Sequence, residues 1–496
     1  MNYNRITKFL FAFIGSIGLI SYFVLKTIKN TIGTLEINQL IWSLKLNNEG
    51  VDLSVVFLYI GCCALAIFFS FIYCLLVYRY HQIYKFFYGN YLKKIPIYNI
   101  FTFKLKKFQG VFTFILLAIL TNFTYHTLLR VNDSANIIFY LKNNLNKSYP
   151  DYDFVKENYF VPKNNEITFK QKKNIVIVLV ESFENTYFDH NNPYHINSKI
   201  NLDQAISFNN FKECSSINFT IAALTAWHFG LPLNLPLKDY NDYVGIKFLP
   251  KAFSVFEVLK ANGYNNNFLL GTDKAYSGKK NLFGQHGNFT IKDKNYWIEN
   301  GYSLEKFQGS GWGFSDSFTL ERGIEEYKEL LKQKQPFSLI VETVDLHFPN
   351  GWSPVEFYKY NDLRDPVAYV DDRVANFVNQ FKKINDPNTI LIVLGDHYYM
   401  GVSKILDKKV SRSIFNAIYT SQEPINFNNL KKSVELVSAL DIAPTILELC
   451  GASWSCKQFG LGVSLLSTEK SLIEKYGEQK FNELIKQKSK FYDQLF

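Results

Sequence analysis

The chain has 496 residues, 47% of them hydrophobic and 17% aromatic, and carries a formal net charge of +10. That length accommodates one large domain and a further element. Residues 1–130 hold 13 Lys and Arg against 3 acidic residues, so the rest of the chain is neutral with 41 of each sign, which argues against a nucleic-acid footprint.

In chain order, three apolar runs come first, at residues 9–25, 55–77 and 111–129. Each approaches the ~20 apolar residues that cross a bilayer. The first lacks the small-residue cleavage site of a signal peptide and is followed by the other two. The third contains Asn122 and His126. The loop 79–109 carries Arg79, Lys85, Lys93, Lys94, Lys104, Lys106 and Lys107 and no acidic residue, whereas 26–52 is mixed. The positive-inside rule places that loop and the N-terminus in the cytoplasm, and everything after Arg130 outside. The expected organisation is a bundle of about three transmembrane helices over 1–130, a linker over 131–171 with Pro150 and Pro162, and an extracytoplasmic domain over 172–496. Cys62, Cys63 and Cys74 read as packing residues of the second span. Cys450 and Cys456, in "CGASWSC", are spaced to bridge outside the cytosol, with Cys214 left over.

Beyond residue 172, short β-rich runs alternate with helix-period segments, which predicts an α/β fold with a largely parallel sheet. The strands fall at 175–180 ("IVIVLV"), 268–270, 338–341 and 390–394 ("ILIVL"). Helices are expected in "AFSVFEVLKANGY", ended by Gly263, in "LERGIEEYKELLKQ" and in "DDRVANFVNQFKK". Residues 468–496 read as one more amphipathic helix.

Each strand runs into chemistry-bearing residues: Glu181 and Ser182, then Gly271-Thr272-Asp273, then Asp345 and His347, then Gly395-Asp396-His397. Open parallel sheets bind ligands beyond the carboxyl ends of their strands. Glu181, Asp396 and His397 form a mixed oxygen and nitrogen set suited to Zn²⁺ or Mn²⁺. Singly, each has a plainer reading as a cap or a turn. Thr220, opening the helical run "INFTIAALTAWHFGLPL", has two readings: a cap for that helix, or a nucleophile activated by a cation.

The ordered set "LVESFEN", "INFTIAALTAWHFGLPL", "GWGFSDSF", "TVDLHFPNGW", "VLGDHYYM" and "DIAPTILELCGA" resembles the sulfatase-like phosphotransferases of the alkaline phosphatase superfamily. These membrane-anchored enzymes include lipoteichoic acid synthase, phosphoethanolamine transferases and phosphoglycerol transferase I. The resemblance spans roughly 172–466 and is nearest to the phosphoglycerol transferase branch. It implies a sulfatase/alkaline-phosphatase-like domain with one divalent metal ion, Mn²⁺ or Zn²⁺ with Mg²⁺ as a further option. Glu181, Asp396 and His397 match the family's metal ligands, and Thr220 its nucleophile and fourth ligand. His347 matches a histidine at the substrate phosphate that protonates the leaving alkoxide, and Lys279 a phosphate-holding lysine. Trp312 and Asp316 fall in a family motif, Trp312 at the substrate.

The implied activity is transfer of phosphoglycerol from a membrane phospholipid to a glycan, outside a bacterial cytoplasmic membrane, through a phosphothreonine. Its alternatives are phosphoethanolamine transfer to lipid A or a glycan, phosphodiester or phosphomonoester hydrolysis, and an inactive membrane-anchored binding protein. Two departures narrow the field. Cys214 is followed by Ser215, Ser216, Ile217 and Asn218, without the proline and arginine of the sulfatase nucleophile motif, and only three cysteines lie in the outer domain. His190, His195 and His228 read as surface or packing residues; His286 lies near the loop of Lys279.

Overall fold

The four apolar runs predicted as strands lie side by side at the centre of one sheet. The computed structural model describes residues 3–31, 61, 64–75, 79, 109–135, 148–203, 205–234, 247–401, 403–406, 410–420 and 436–496. Its main sheet has seven strands: β1 (Asn174–Val180), β2 (Ala205–Ile206), β3 (Asn265–Leu270), β4 (Thr290–Lys292), β5 (Phe337–Glu342), β6 (Thr389–Gly395) and β7 (Asn416–Thr420). The spatial order is β2-β7-β6-β1-β5-β3-β4. The five strands from β6 to β4 are parallel; β7 runs antiparallel to both of its neighbours. The sequence reading found β1, β3, β5 and β6. It missed β2 and β4, which are two and three residues long, and β7, whose "NAIYT" lacks a sustained apolar run.

Strands covered on both faces are apolar throughout, which is why "IVIVLV" shows no alternation. Ile175, Ile177 and Leu179 of β1 enter one core with α3 (Thr220–Phe229) and α4 (Val255–Ala261). Val176, Val178 and Val180 enter a second core with α5 (Asp316–Leu331) and α6 (Arg364–Ile384). Local signals set the helix ends. Ser254 and Glu257 form a capping box on α4, Ser315 caps α5, and Gly263 (φ 86°) turns the chain after α4.

One expectation is corrected. Residues 468–496 form three short helices, α7 (Leu472–Tyr476), α8 (Glu478–Ile485) and α9 (Lys490–Asp493); Gly477 at φ 73° breaks the path between the first two, and Ser489 caps the third afresh. Cys450 and Cys456 are free thiols, the first buried and the second exposed. Within the segment read as a linker, Phe154 and Val155 are buried, Phe154 against Tyr476 and Phe481.

The chain divides into two compact units, one formed by Met1–Glu36 with Asp52–Tyr140 and the other containing Leu141–Phe496. In the first, α1 (Tyr3–Thr31) packs on α2 (Gln109–Ala135), where Gly18 lets Thr124 Oγ1 approach and donate to Ile14 O at 3.0 Å. These helices contain the whole of the first and third expected runs, 9–25 and 111–129. Of the second span, 55–77, only residues 61 and 64–75 are described. Among the described residues no helix is long and apolar enough to cross a membrane, so the bundle finds no support there.

Candidate active site

Strand register builds the centre of the site. Val180 of β1 pairs with Gly395 of β6, so the next residues, Glu181 and Asp396, leave the sheet side by side. Both continue the face that carries Leu179 and Leu394 into the core with α3. Glu342 closes β5 on the same face, opposite Leu179.

Thr220 is the first residue of α3 and does not cap it; Phe219 occupies the cap position without a side-chain bond. The Thr220 hydroxyl instead donates to Glu181 Oε2 at 3.2 Å and lies 3.4 Å from His397 Nε2. His397 Nδ1 is 2.8 Å from the Tyr398 carbonyl, so it carries the proton and Nε2 faces the carboxylates. From Nε2, Asp396 Oδ2 is 3.2 Å away and Glu181 Oε1 3.5 Å. Asp396 Oδ1 accepts from the backbone N–H groups of Ser182 and His397, each at 2.8 Å. Ser182 reaches that position with φ 50°, in the left-handed region, and its hydroxyl donates to Glu181 Oε1 at 2.8 Å.

These residues fit a divalent cation. Glu181, Asp396 and His397 are buried and offer ligand atoms all within 4.8 Å of one another. Asp396 Oδ2 is buried and makes no hydrogen bond by geometry, its near contact being the His397 Nε2 ion pair at 3.2 Å, which a cation between the two groups would replace. Burial and the Glu181 charge push the Asp396 carboxyl up to about 6. Burial disfavours charge on His397, but Asp396, Glu181 and Glu213 outweigh it and push the imidazole up to about 9. Positive charge is therefore wanted here, and a cation displaces the proton that otherwise supplies it.

A second tier adjoins this centre. Burial lowers His347 to about 4, and its charge is sensed by His397, Asp396 and Lys279. His347 Nδ1 lies 2.9 Å from the Phe348 carbonyl, and the ring sits 4.5 Å from that of Trp312. Lys279 forms a buried ion pair with Glu342 at 2.6 Å and stands 5.7 Å over the ring of Tyr276, which contacts Trp312. Asp316 lies behind the site: it accepts from the N–H groups of Val344 and Asp345, while Asp345 accepts from those of Ser310 and Asp316. This staples the loop of Trp312 to the loop of His347.

The structure thus brings Glu181, Thr220, Asp396 and His397 together, with His347, Lys279 and Trp312 beside them. It leaves out His190 and His195, which contact each other at the surface, and His228, packed among Phe256 and Phe283. His286 is held by Phe248 O and Glu257. Sequence reasoning missed Glu342, Tyr276 and Glu213, which accepts from Tyr398 N at 2.6 Å. For Glu342 a signal existed, its place at a strand end, the same one that marks Glu181. Thr272 and Asn218 also present buried side-chain oxygens without partners, as does Glu342 through Oε2.

The sulfatase family profile matches residues 173–452. Over 334 residues the chain is 27% identical to phosphoglycerol transferase I of Xanthomonas campestris pv. campestris (strain B100), covering 64% of this chain and 46% of that relative. It therefore spans about half the length of the curated relatives it matches. Among solved structures, an alkaline phosphatase superfamily protein from Vibrio parahaemolyticus aligns with TM-score 0.46 and 19% identity, covering 64% of this chain and 77% of that one. The integral membrane lipooligosaccharide phosphoethanolamine transferase A from Neisseria meningitidis aligns with TM-score 0.48 and 13% identity, over 91% and 85%.

Proposed function

The chain belongs to the sulfatase family, and on that premise we propose that it is a metal-dependent phosphotransferase moving phosphoglycerol from a membrane phospholipid to an extracytoplasmic glycan. One observation carries the reading: the Thr220 hydroxyl, at the N-terminus of α3, lies within reach of Glu181 and His397. Relatives named phosphoglycerol transferase I support the choice of headgroup.

Glu181, Asp396, His397 and the Thr220 oxygen would hold the cation, Mn²⁺ or Zn²⁺, with Mg²⁺ also compatible with oxygen ligands. When bound, it supplies the positive charge that lowers the hydroxyl pKa. Thr220 Oγ1 forms a bond to phosphorus as the bond from phosphorus to the diacylglycerol oxygen breaks. The hydroxyl proton points at Glu181 Oε2. The N–H groups of the first turn of α3 and the Lys279 ammonium face the charge that builds on the phosphoryl oxygens. His347 is neutral in the free enzyme, and an arriving phosphodiester anion raises its pKa. It can then protonate the leaving alkoxide and, in the second half-reaction, take the proton of the acceptor hydroxyl.

A membrane anchor near the N-terminus would hold this centre beside its lipid donor. In the first unit Phe9, Phe13, Ile67, Phe71 and Ile119 are exposed, which suits a lipid surround. The deciding experiment is peptide mass spectrometry after incubation with phosphatidylglycerol or phosphatidylethanolamine, without acceptor. The expected result is a phosphoglycerol adduct on Thr220. A phosphoethanolamine adduct would replace the headgroup, diacylglycerol release without adduct would indicate hydrolysis, and neither product would sink the reading.

A further inference from the structure

The stretch "HFPNGWSPVEFYKYNDLRDP" leaves the site at His347 and contains more aromatic and amide side chains than a connection needs. It folds around a cavity of about 670 Å³ lined by Trp352, Ser353, Tyr358 and Tyr360 of this stretch and by Tyr399 and Lys404 of a second segment. Pro349 also lines it, two residues from His347, and Tyr399 is two residues from His397. Each wall therefore begins within about 7 Å of chain from a histidine of the active site. The Tyr399 hydroxyl donates to the Pro349 carbonyl and ties the walls together.

The lining is preorganised. Asp365, buried, accepts from the N–H groups of Lys359, Tyr360 and Asn361 at 3.0, 2.9 and 2.7 Å, which fixes the loop that carries the tyrosines. Trp352 stands edge-on to Tyr369 at 5.7 Å. Most of its charge is already used: Arg364 forks onto Asp362 at 2.9 and 2.7 Å and covers Tyr360 at 4.1 Å, Asp365 is taken by the backbone, and the Lys404 ammonium in the lining lies near Asp362. A cation finds no free carboxylate here among the described residues, and Lys404 can donate to a hydroxyl as well as to an anion. One group is unmet: Ser353 is 3% exposed, and its hydroxyl has no partner. Aromatic faces, amides and an unpartnered hydroxyl match a neutral ligand with flat C–H faces and many hydroxyls.

We propose that this cavity is the subsite for the glycan acceptor, binding a neutral oligosaccharide so that one hydroxyl reaches the phosphorylated Thr220. Its role as an acceptor subsite rests on the transferase reading above; the binding of sugar does not. The test is calorimetry of the full chain in detergent with a short linear gluco-oligosaccharide. The wild type should bind, and Tyr358→Ala, at a ring 56% exposed and so removable without unfolding, should weaken binding about tenfold. Ser353→Ala should also weaken it, whereas Tyr476→Ala, at an exposed tyrosine elsewhere, should not. No binding by the wild type, or equal affinity in Tyr358→Ala, would overturn the subsite. Sugar binding without any lipid adduct on Thr220 would keep the cavity and remove the transferase reading. An adduct without sugar binding would do the reverse.

Discussion

At the scale of the residue, three side chains separate chemistry from architecture. Thr220→Ala removes the attacking oxygen while leaving α3 its backbone start at Phe219, so turnover should fall at least about a thousandfold with little change in Tm. Thr220→Ser keeps an oxygen and should retain measurable transfer; equal loss in both variants would count against a nucleophilic hydroxyl. Glu342 acts through its partner. With Lys279 buried beside it, Glu342→Gln leaves an ammonium uncompensated and should cost on the order of 3 kcal/mol in denaturant unfolding. For His347 the sign is set by burial, which lowers its folded pKa from 6.5 to about 4. The native state thus favours the neutral ring, a contribution complete above pH 6.5 and lost as pH falls through about 4. His347→Gln should flatten the fall in Tm across that window; an unchanged slope would place the acid sensitivity elsewhere.

At the scale of the element, the site depends on strand ends meeting in register. Gly395 closes β6, and a Cβ there would stand 2.1 Å from the Phe183 carbonyl oxygen, a backbone atom that cannot move aside cheaply. Gly395→Ala should therefore displace Asp396 and His397, lowering both Tm and bound metal measured by elemental analysis. Full metal occupancy in that variant would show that the turn tolerates a side chain. The strand-end logic was legible in the sequence for Glu181, Asp396 and His397, because apolar strands ending in carboxylates are a local pattern. Glu342 was equally placed but passed unnoticed, since its partner Lys279 is 63 residues away and only folding brings them together. The broken C-terminal helix has a local cause in Gly477, whose left-handed φ overrode an amphipathic pattern that read as continuous.

At the scale of the whole molecule, the charge asymmetry between residues 1–130 and the balanced remainder leads to the expectation that the chain is held in a membrane. It should remain with the membrane pellet after alkaline carbonate extraction, and protease added to the outer face should remove the part beyond Arg130. Release into the supernatant would refute the anchor.

The sequence by itself determined the class of fold, the central strands and the acidic and imidazole residues at their ends, because these follow from short-range periodicity and from residue type. Only the tertiary structure decided that Thr220 turns to Glu181 and His397 instead of capping its helix. It also decided that Asp396 meets the backbone of Ser182, that Glu342 meets Lys279, and that Tyr399 reaches the Pro349 carbonyl beside His347. Each of these is a contact between residues distant in the chain, set by strand order and packing that no local pattern encodes.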